Sequence, residues 1–177
     1  MRPSRAALLL AAALASAAVL PSVSVQAQGT APTAQELTAL TARMIRHVNQ
    51  LRAQNGSAPL VEDRRLDAAA RAHAEDMVRR DFFDHRSPDG RGMQDRAASV
   101  GYPWRTLAEN LGAGLSSPEQ TADAWMTSPA HRTNMLSPDH LQIGVGYARA
   151  PQTGKRPRYS HYWVIVVGAP ARWPAPS

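Results

Sequence analysis

His85, Glu109 and His131 are the side chains whose types could do chemistry together in this sequence. Two neutral imidazoles and one carboxylate form an open zinc-type ligand set, with water in the remaining position. Such a water becomes acidic and could attack an ester or amide, with Glu109 available for proton transfer. Glu109 and His131 share one stretch, Ala108 to Leu136, which opens Ala-Glu-Asn-Leu-Gly-Ala-Gly and closes Trp-Met-Thr-Ser-Pro-Ala-His-Arg-Thr-Asn-Met-Leu, while His85 lies upstream. Ser128, Arg132 and Asn134 stand in the same closing run as candidate binding groups. The spacing is long-range, with no His-Glu-x-x-His motif, no Gly-x-Ser-x-Gly elbow and no phosphate-cradling glycine loop. A structural reading of the same run stays open: Ser128 caps a helix, Arg132 and Asn134 tie loops to backbone, and His131 bonds to Glu109.

These side chains depend on elements that can be traced along the chain. Thr33-Ala34-Gln35-Glu36 has the form of a capping box. Leu37, Leu40, Met44, Val48 and Leu51 follow at helical steps, and Asn55-Gly56 closes that helix. Asp63 should cap a second helix reaching about Arg80, with Leu66, Ala69, Ala70, His73 and Met77 inward and the arginines outward. His73 on that apolar side reads as a hydrogen-bonded core histidine. Ser87-Pro88-Asp89-Gly90 is a type I turn signal, and with Phe82 and Phe83 as anchors it sets His85 at the edge of a rigid loop.

A short helix is expected from Met93 to Val100, stopped at Gly101, and an extended segment from Leu107 to Ala113. Ser117-Pro118-Glu119 starts another helix, which turns Ala122, Trp125 and Met126 inward and breaks at Ser128-Pro129. Ser128 caps the turn from Pro129 to Met135. Ile143 to Tyr147 and His161 to Val167 carry β-strand patterning, joined by a longer connection from about Arg149 to Arg158. A proline-rich, irregular tail is expected from Ala169. Helices first and an antiparallel hairpin last indicate an α+β domain with helices covering a small antiparallel sheet. A doubly wound parallel sheet is disfavoured, because no strand-helix-strand repeat is present.

The two ends and the composition narrow the setting. Arg2 and Arg5, an apolar run from Ala6 to Leu20 and Val25-Gln26-Ala27 read as an export signal over residues 1–27. The run is about fifteen residues, short of the roughly twenty that span a bilayer. Residues 28–36 then form a linker and helix start, residues 37–168 the domain and residues 169–177 the tail. The chain has no cysteine, so packing and hydrogen bonds must stabilise it without disulfides, and thiolate zinc sites are excluded. Loss of the leader leaves 18 basic against 14 acidic residues. That modest, scattered excess reads as solvated arginine and not as a nucleic-acid groove.

Phe-x-His on a loop, Ala-Glu-Asn-Leu-Gly, Trp-Met-x-Ser-Pro-x-His-Arg-x-Asn-Met-Leu, Ile-Gly-Val-Gly-Tyr and a Tyr-Trp strand, in that order, resemble the CAP superfamily. That superfamily holds the cysteine-rich secretory, antigen 5 and pathogenesis-related 1 proteins, and the likeness is to its bacterial, cysteine-free SCP-like branch. The resemblance covers Leu40 to Val167 and implies an α-β-α sandwich. In animal and plant members a cleft holds two histidines and two acids that bind a divalent cation. His85 and Glu109 fall on the first histidine and first acid. Ser128 stands where the second acid belongs, and the Gly-His-Phe-Thr-Gln-like run is missing, leaving His131 as the substitute ligand. The resemblance therefore implies an exported protein, periplasmic or extracellular, that holds a small-molecule, lipid or cell-envelope ligand in a His/Glu-lined cleft. The alternatives are a hydrolase assisted by a divalent cation such as zinc, using His85, Glu109 and His131, and a purely structural or adhesive envelope protein. No nucleic-acid partner and no stable membrane span in the mature chain are expected.

Overall fold

The computed structural model describes residues 31–151 and 157–172. The export signal, the middle of the 149–158 connection and the tail beyond residue 172 lie outside the described residues. Within them, α1 (Ala34–Gln54) is followed by β1 (Val61–Glu62), α2 (Arg64–Arg80), α3 (Met93–Ser99), β2 (Trp104–Ala113), α4 (Pro118–Thr127), α5 (Pro129–Leu136), β3 (Gln142–Arg149) and β4 (His161–Pro170).

Local signals account for most helix ends. Thr33 and Glu36 exchange both hydrogen bonds of the capping box, which satisfies the first free amides of α1. Asp63 caps α2 by accepting from the Arg65 amide, and Ser117 accepts from the Gln120 amide with Pro118 in the first turn of α4. Ser128 differs from expectation. It occupies the N-cap position of α5 with extended backbone, but its hydroxyl makes no capping bond. The segment after it is a two-turn helix, not an isolated turn.

The strands form one sheet in the order β1-β3-β4-β2. β4 pairs antiparallel with both β2 and β3, as the hairpin pattern requires. The sheet is nevertheless mixed, because β1 pairs parallel with β3 through Val61 and Glu62. Two residues are too few to show any strand period, so this pairing leaves no mark in the sequence. β4 also runs further than expected. Ala169 pairs with Thr106 and Pro170 with Trp104, so the irregular tail cannot start at Ala169. A proline is tolerated at a strand end because no further ladder donor is required there.

Alternation along β4 explains the layering. Trp163, Ile165 and Val167 face a core built with Met44, Val48, Ala122, Trp125 and Met135, from α1, α4 and α5. Tyr162, Val164 and Val166 face a second core with Leu66, Ala70, Ala74, Met77 and Ala97, from α2 and α3. Successive strand side chains point to opposite faces, so this one buried strand joins two helical layers into an α-β-α sandwich. Gly144 and Gly146 allow the contact between β3 and α2. A Cβ on Gly144 would lie 2.1 Å from the Leu66 carbonyl carbon, and one on Gly146 would lie 2.2 Å from that of Ala70.

Candidate functional site

The polar centre lies on β2, the outer strand on one side of the sheet. The period-2 rule splits Ala-Glu-Asn-Leu between two faces. Glu109 turns with Leu107 and Leu111 towards α2 and α3, and Asn110 turns with Gly112 towards α4 and α5. Glu109 is the most deeply engaged group, its side chain only 2 % exposed. Its Oε1 accepts from His85 Nδ1 at 2.8 Å and its Oε2 from Arg96 Nη2 at 2.7 Å. His73 Nε2 stands 4.0 Å from Oε1.

Each partner is held by its own element. His85 sits on the loop after α2, where Phe82 packs against His73 and Phe83 against Tyr159. The Gly90 amide closes the expected turn on the Ser87 carbonyl at 2.8 Å. His73, fully buried on the inner face of α2, bonds through Nε2 to the Asp84 carbonyl at 3.0 Å. Arg96, on α3, gives Nη2 to the His85 carbonyl at 3.1 Å and Nη1 to the Arg91 carbonyl at 3.3 Å. Backbone and side chain of the His85 loop are thus fastened to the same buried pair, Arg96 and Glu109.

Electrostatics follow from this arrangement. Burial pushes the Glu109 carboxyl up, but the His85 hydrogen bond, the Arg96 charge and the neighbouring His73 outweigh it and hold the group below the usual carboxylate range. The bond to Glu109 raises His85 above the ordinary imidazole value, against the effects of partial burial and of Arg96. Burial lowers His73, although Glu109 pulls the other way, and its Nε2–H donates to the Asp84 carbonyl. His131 is lowered first by burial and then by the charge of His85.

The other candidate residues divide. Asn134 donates to the Asn110 side chain at 2.9 Å and to the Glu109 carbonyl at 3.4 Å, while Asn110 donates to the His131 carbonyl at 3.1 Å. These bonds seal α5 against the outer strand. Arg132 turns away to Asn55, the C-cap of α1, at 2.7 Å. Trp125 is core, its indole N–H donating to the Leu111 carbonyl at 2.8 Å. No hydrogen bond or ion pair joins His131 to Glu109 among the described residues, because α5 packs on the opposite face of β2 from the Glu109 carboxylate.

A divalent cation does not fit this donor set. Both Glu109 oxygens are taken, one by a buried guanidinium that would repel the ion. His85 spends Nδ1 on Glu109, and the described residues contain no group of three or more His, Asp or Glu placed to hold a metal. The expected His85, Glu109 and His131 ligand set is therefore not assembled as a metal site. Three cavities, of about 470, 320 and 270 Å³, open beneath the first turns of α1 around Tyr147, and none includes these three side chains. The polar centre lies on the edge strand of the sheet, with His85 exposed above the buried Glu109.

Reading the sequence overlooked Arg96 and placed Arg52 with the solvated arginines. Both are buried. Arg52 donates to the carbonyls of Ala58, Met135 and Ser137. A signal existed for each: Met93, Arg96, Ala97 and Val100 share one helical stripe, and Arg52 continues the stripe of Val48 and Leu51.

With fold and polar centre defined, the class is a three-layer α-β-α domain carrying a buried glutamate–arginine pair under an exposed histidine. The chain belongs to the cysteine-rich secretory protein (CAP) family, whose model matches residues 45–167. It contains no cysteine itself. It is 33 % identical over 130 residues to the uncharacterized protein YkwD of Bacillus subtilis, covering 73 % of this chain and 51 % of that protein. The chain thus spans about half the length of this relative. Among solved structures it is similar to an extracellular SCP-domain protein of Bacillus anthracis, with TM-score 0.65 and 21 % identity over 76 % of this chain and 42 % of that one. An outer surface protein of Borrelia burgdorferi gives TM-score 0.66 and 18 % identity over 81 % of this chain and 99 % of that one. At these identities the structures share the fold. No described helix is long and apolar enough to cross a membrane.

Proposed function

We propose that this chain is an exported binding module of the family, periplasmic or extracellular, which holds a small-molecule, lipid or envelope-derived ligand at the exposed edge of His85 above the buried Glu109. The observation that carries this reading is the use of the Glu109 carboxylate. Both its oxygens accept a hydrogen bond, from His85 and from Arg96, so the glutamate anchors the His85 loop from inside the fold. His85 keeps 58 % of its side chain exposed. Since Nδ1 is bound inward, the opposite ring edge with Nε2 is the part that meets a ligand, as a donor to an acceptor oxygen.

Export follows from the leader, with cleavage after Ala27. Native mass spectrometry of protein recovered from its own host tests both parts. A mature chain starting at Gln28 with a bound mass that is lost in His85→Ala is the expected result. A bare chain that also takes up no lipid or glycan in titration overturns the binding reading. The donor chemistry favours this over the metal-assisted hydrolase, because the Arg96 guanidinium bonded to Glu109 Oε2 would repel a cation.

A further inference from the structure

We propose that the uncovered edge of β3, in the groove between α1 and α2, binds an extended peptide as an added strand parallel to β3, its amino end toward Glu62 and Asp67 and its carboxyl end toward Arg149. This site is separate from His85 and stands apart from the binding reading above. The Ala150 amide donates to the Ser160 carbonyl across to β4. Alternate residues of an antiparallel ladder bond to the same neighbour, so Gly144, Gly146 and Ala148 turn their backbone groups to β4, while Ile143, Val145 and Tyr147 turn theirs to the other side. β1 meets that side for two residues, where the Asp63 amide donates to the Ile143 carbonyl. Next along, Asp67 Oδ1 accepts from the Val145 amide at 2.7 Å, standing in for the carbonyl of a neighbouring strand. Beyond it, the Val145 carbonyl and the amide and carbonyl of Tyr147 have no hydrogen-bond partner among the described residues. Val145 and Tyr147 are only 3 % and 6 % exposed, and buried main-chain groups are nearly always paired.

The space beside this edge fits a strand. A cavity of about 470 Å³ is lined by Val145 and Tyr147, by Thr38 and Thr41 of α1 and by Ala68 and Arg71 of α2. The cavity of about 270 Å³ shares Leu37 and Tyr147 with it and reaches Arg149. At about 3.3 Å per residue, the stretch from Val145 to Arg149 accommodates a segment of about five residues. The free groups run acceptor, donor, acceptor along the edge, which an extended amide backbone answers while its side chains alternate between the two helical walls. Because the edge is recessed between helices, one strand can enter, whereas the sheet of a second copy cannot approach edge to edge. Charge sets the direction. Arg71 and Glu75 lie 4.0 Å apart and offset each other. That leaves Glu62 and Asp67 against Arg64 at the β1 end, and Arg149 with Arg79, which also pairs with Asp76, at the other. A peptide with its ammonium at the first end and its carboxylate at the second runs parallel to β3, as β1 does.

The measurement is an NMR titration of the isotope-labelled protein with the pentapeptide Lys-Val-Thr-Val-Glu, read at the Tyr147 amide. The expected result is an amide that exchanges with solvent in the free protein and is protected by about tenfold or more at saturation. Two methylated peptides test the pairing, one N-methylated at both valines and one at threonine and glutamate. A strand turns alternate amides to one neighbour, so one of the two should bind about tenfold weaker, the loss of one to two hydrogen bonds, and the other within about twofold of the parent. Thr41→Trp, which fills the groove from α1, should weaken the parent peptide by about tenfold or more, its folding checked by circular dichroism; should it not fold, the methylated pair decides alone. The reversed peptide Glu-Val-Thr-Val-Lys should bind about threefold weaker, as for exposed ion pairs, and equal affinity overturns the parallel orientation. No binding, equal effects of the two methylation patterns, or a Tyr147 amide already protected without peptide, by the chain's own residues or a second copy, overturns the proposal. His85→Ala should bind the peptide unchanged, so failure here is separable from failure of the binding reading at His85.

Discussion

His85 and Glu109 are joined by a 2.8 Å hydrogen bond across a steep gradient of exposure, the imidazole mostly in solvent and the carboxylate sealed beneath it. The bond belongs to a chain that continues from Glu109 to Arg96 and back to the His85 backbone. A buried charge in such a closed circuit is difficult to change one member at a time.

Glu109→Gln preserves shape and removes the charge. Arg96 would then remain buried without its counter-charge, and breaking a buried pair in this way typically destabilises by about 3–5 kcal/mol. Denaturant unfolding should show a loss of this order, and the His85 titration should move to lower pH. A variant as stable as wild type would mean that water reaches Arg96 freely.

The pair also has a pH window. Folded His85 holds its proton more tightly than the ordinary imidazole value of 6.5, so its contribution is complete below that value and disappears as pH rises through the raised folded one. Glu109 is held below 4.5, so its contribution is complete above that value and is lost as pH falls through the lowered one. The two overlap in mildly acidic solution. The stability difference between wild type and His85→Gln should therefore be larger near about pH 5.5 than near about pH 8.5, measured by chemical denaturation at each pH. Equal differences would contradict the linkage.

Asp67 behaves in the opposite sense. Burial is the main reason its carboxyl is pushed up to about 7, outweighing the bond it accepts from the Val145 amide, with Glu62 adding to the rise. The penalty of ionising it is absent below its ordinary value of 3.8 and complete above about 7. Asp67→Asn keeps an acceptor for Val145 without the charge. It should gain stability relative to wild type as pH rises across this range, by on the order of 1 kcal/mol given screening at a partly open position. Paired denaturation curves at both ends of the range check the sign.

Gly146→Ala should be destabilising by about 3 kcal/mol or more, as overpacking against rigid backbone is. The added carbon would lie 2.2 Å from the Ala70 carbonyl carbon, and neither β3 nor α2 can yield locally without moving the other. Thermal unfolding measures it. A neutral effect would show that the helix rides further from the sheet in solution.

The fold was largely legible from local physics. The capping box at Thr33, the Asp63 and Ser117 caps and the stripes of α1 and α2 are short-range patterns, and they form as expected. The hairpin of β3 and β4 followed from β-branched and aromatic runs. What escaped was β1, whose two residues carry no period, and the extension of β4 through Ala169 and Pro170, where composition suggests a tail but pairing with Thr106 and Trp104 decides otherwise.

For the site, sequence alone identified His85 and Glu109 as residues of interest and the family that carries them. Their separation of 24 positions gives no energetic term until loop and strand are packed. Only the tertiary structure could decide that Arg96 would complete the circuit, that His73 would fasten the loop, and that the His131 carbonyl would meet Asn110 on the other face of β2. A side chain's type and its local face are written along the chain. Its charge state and its partners depend on distances and burial that exist only after two helical layers close on one sheet.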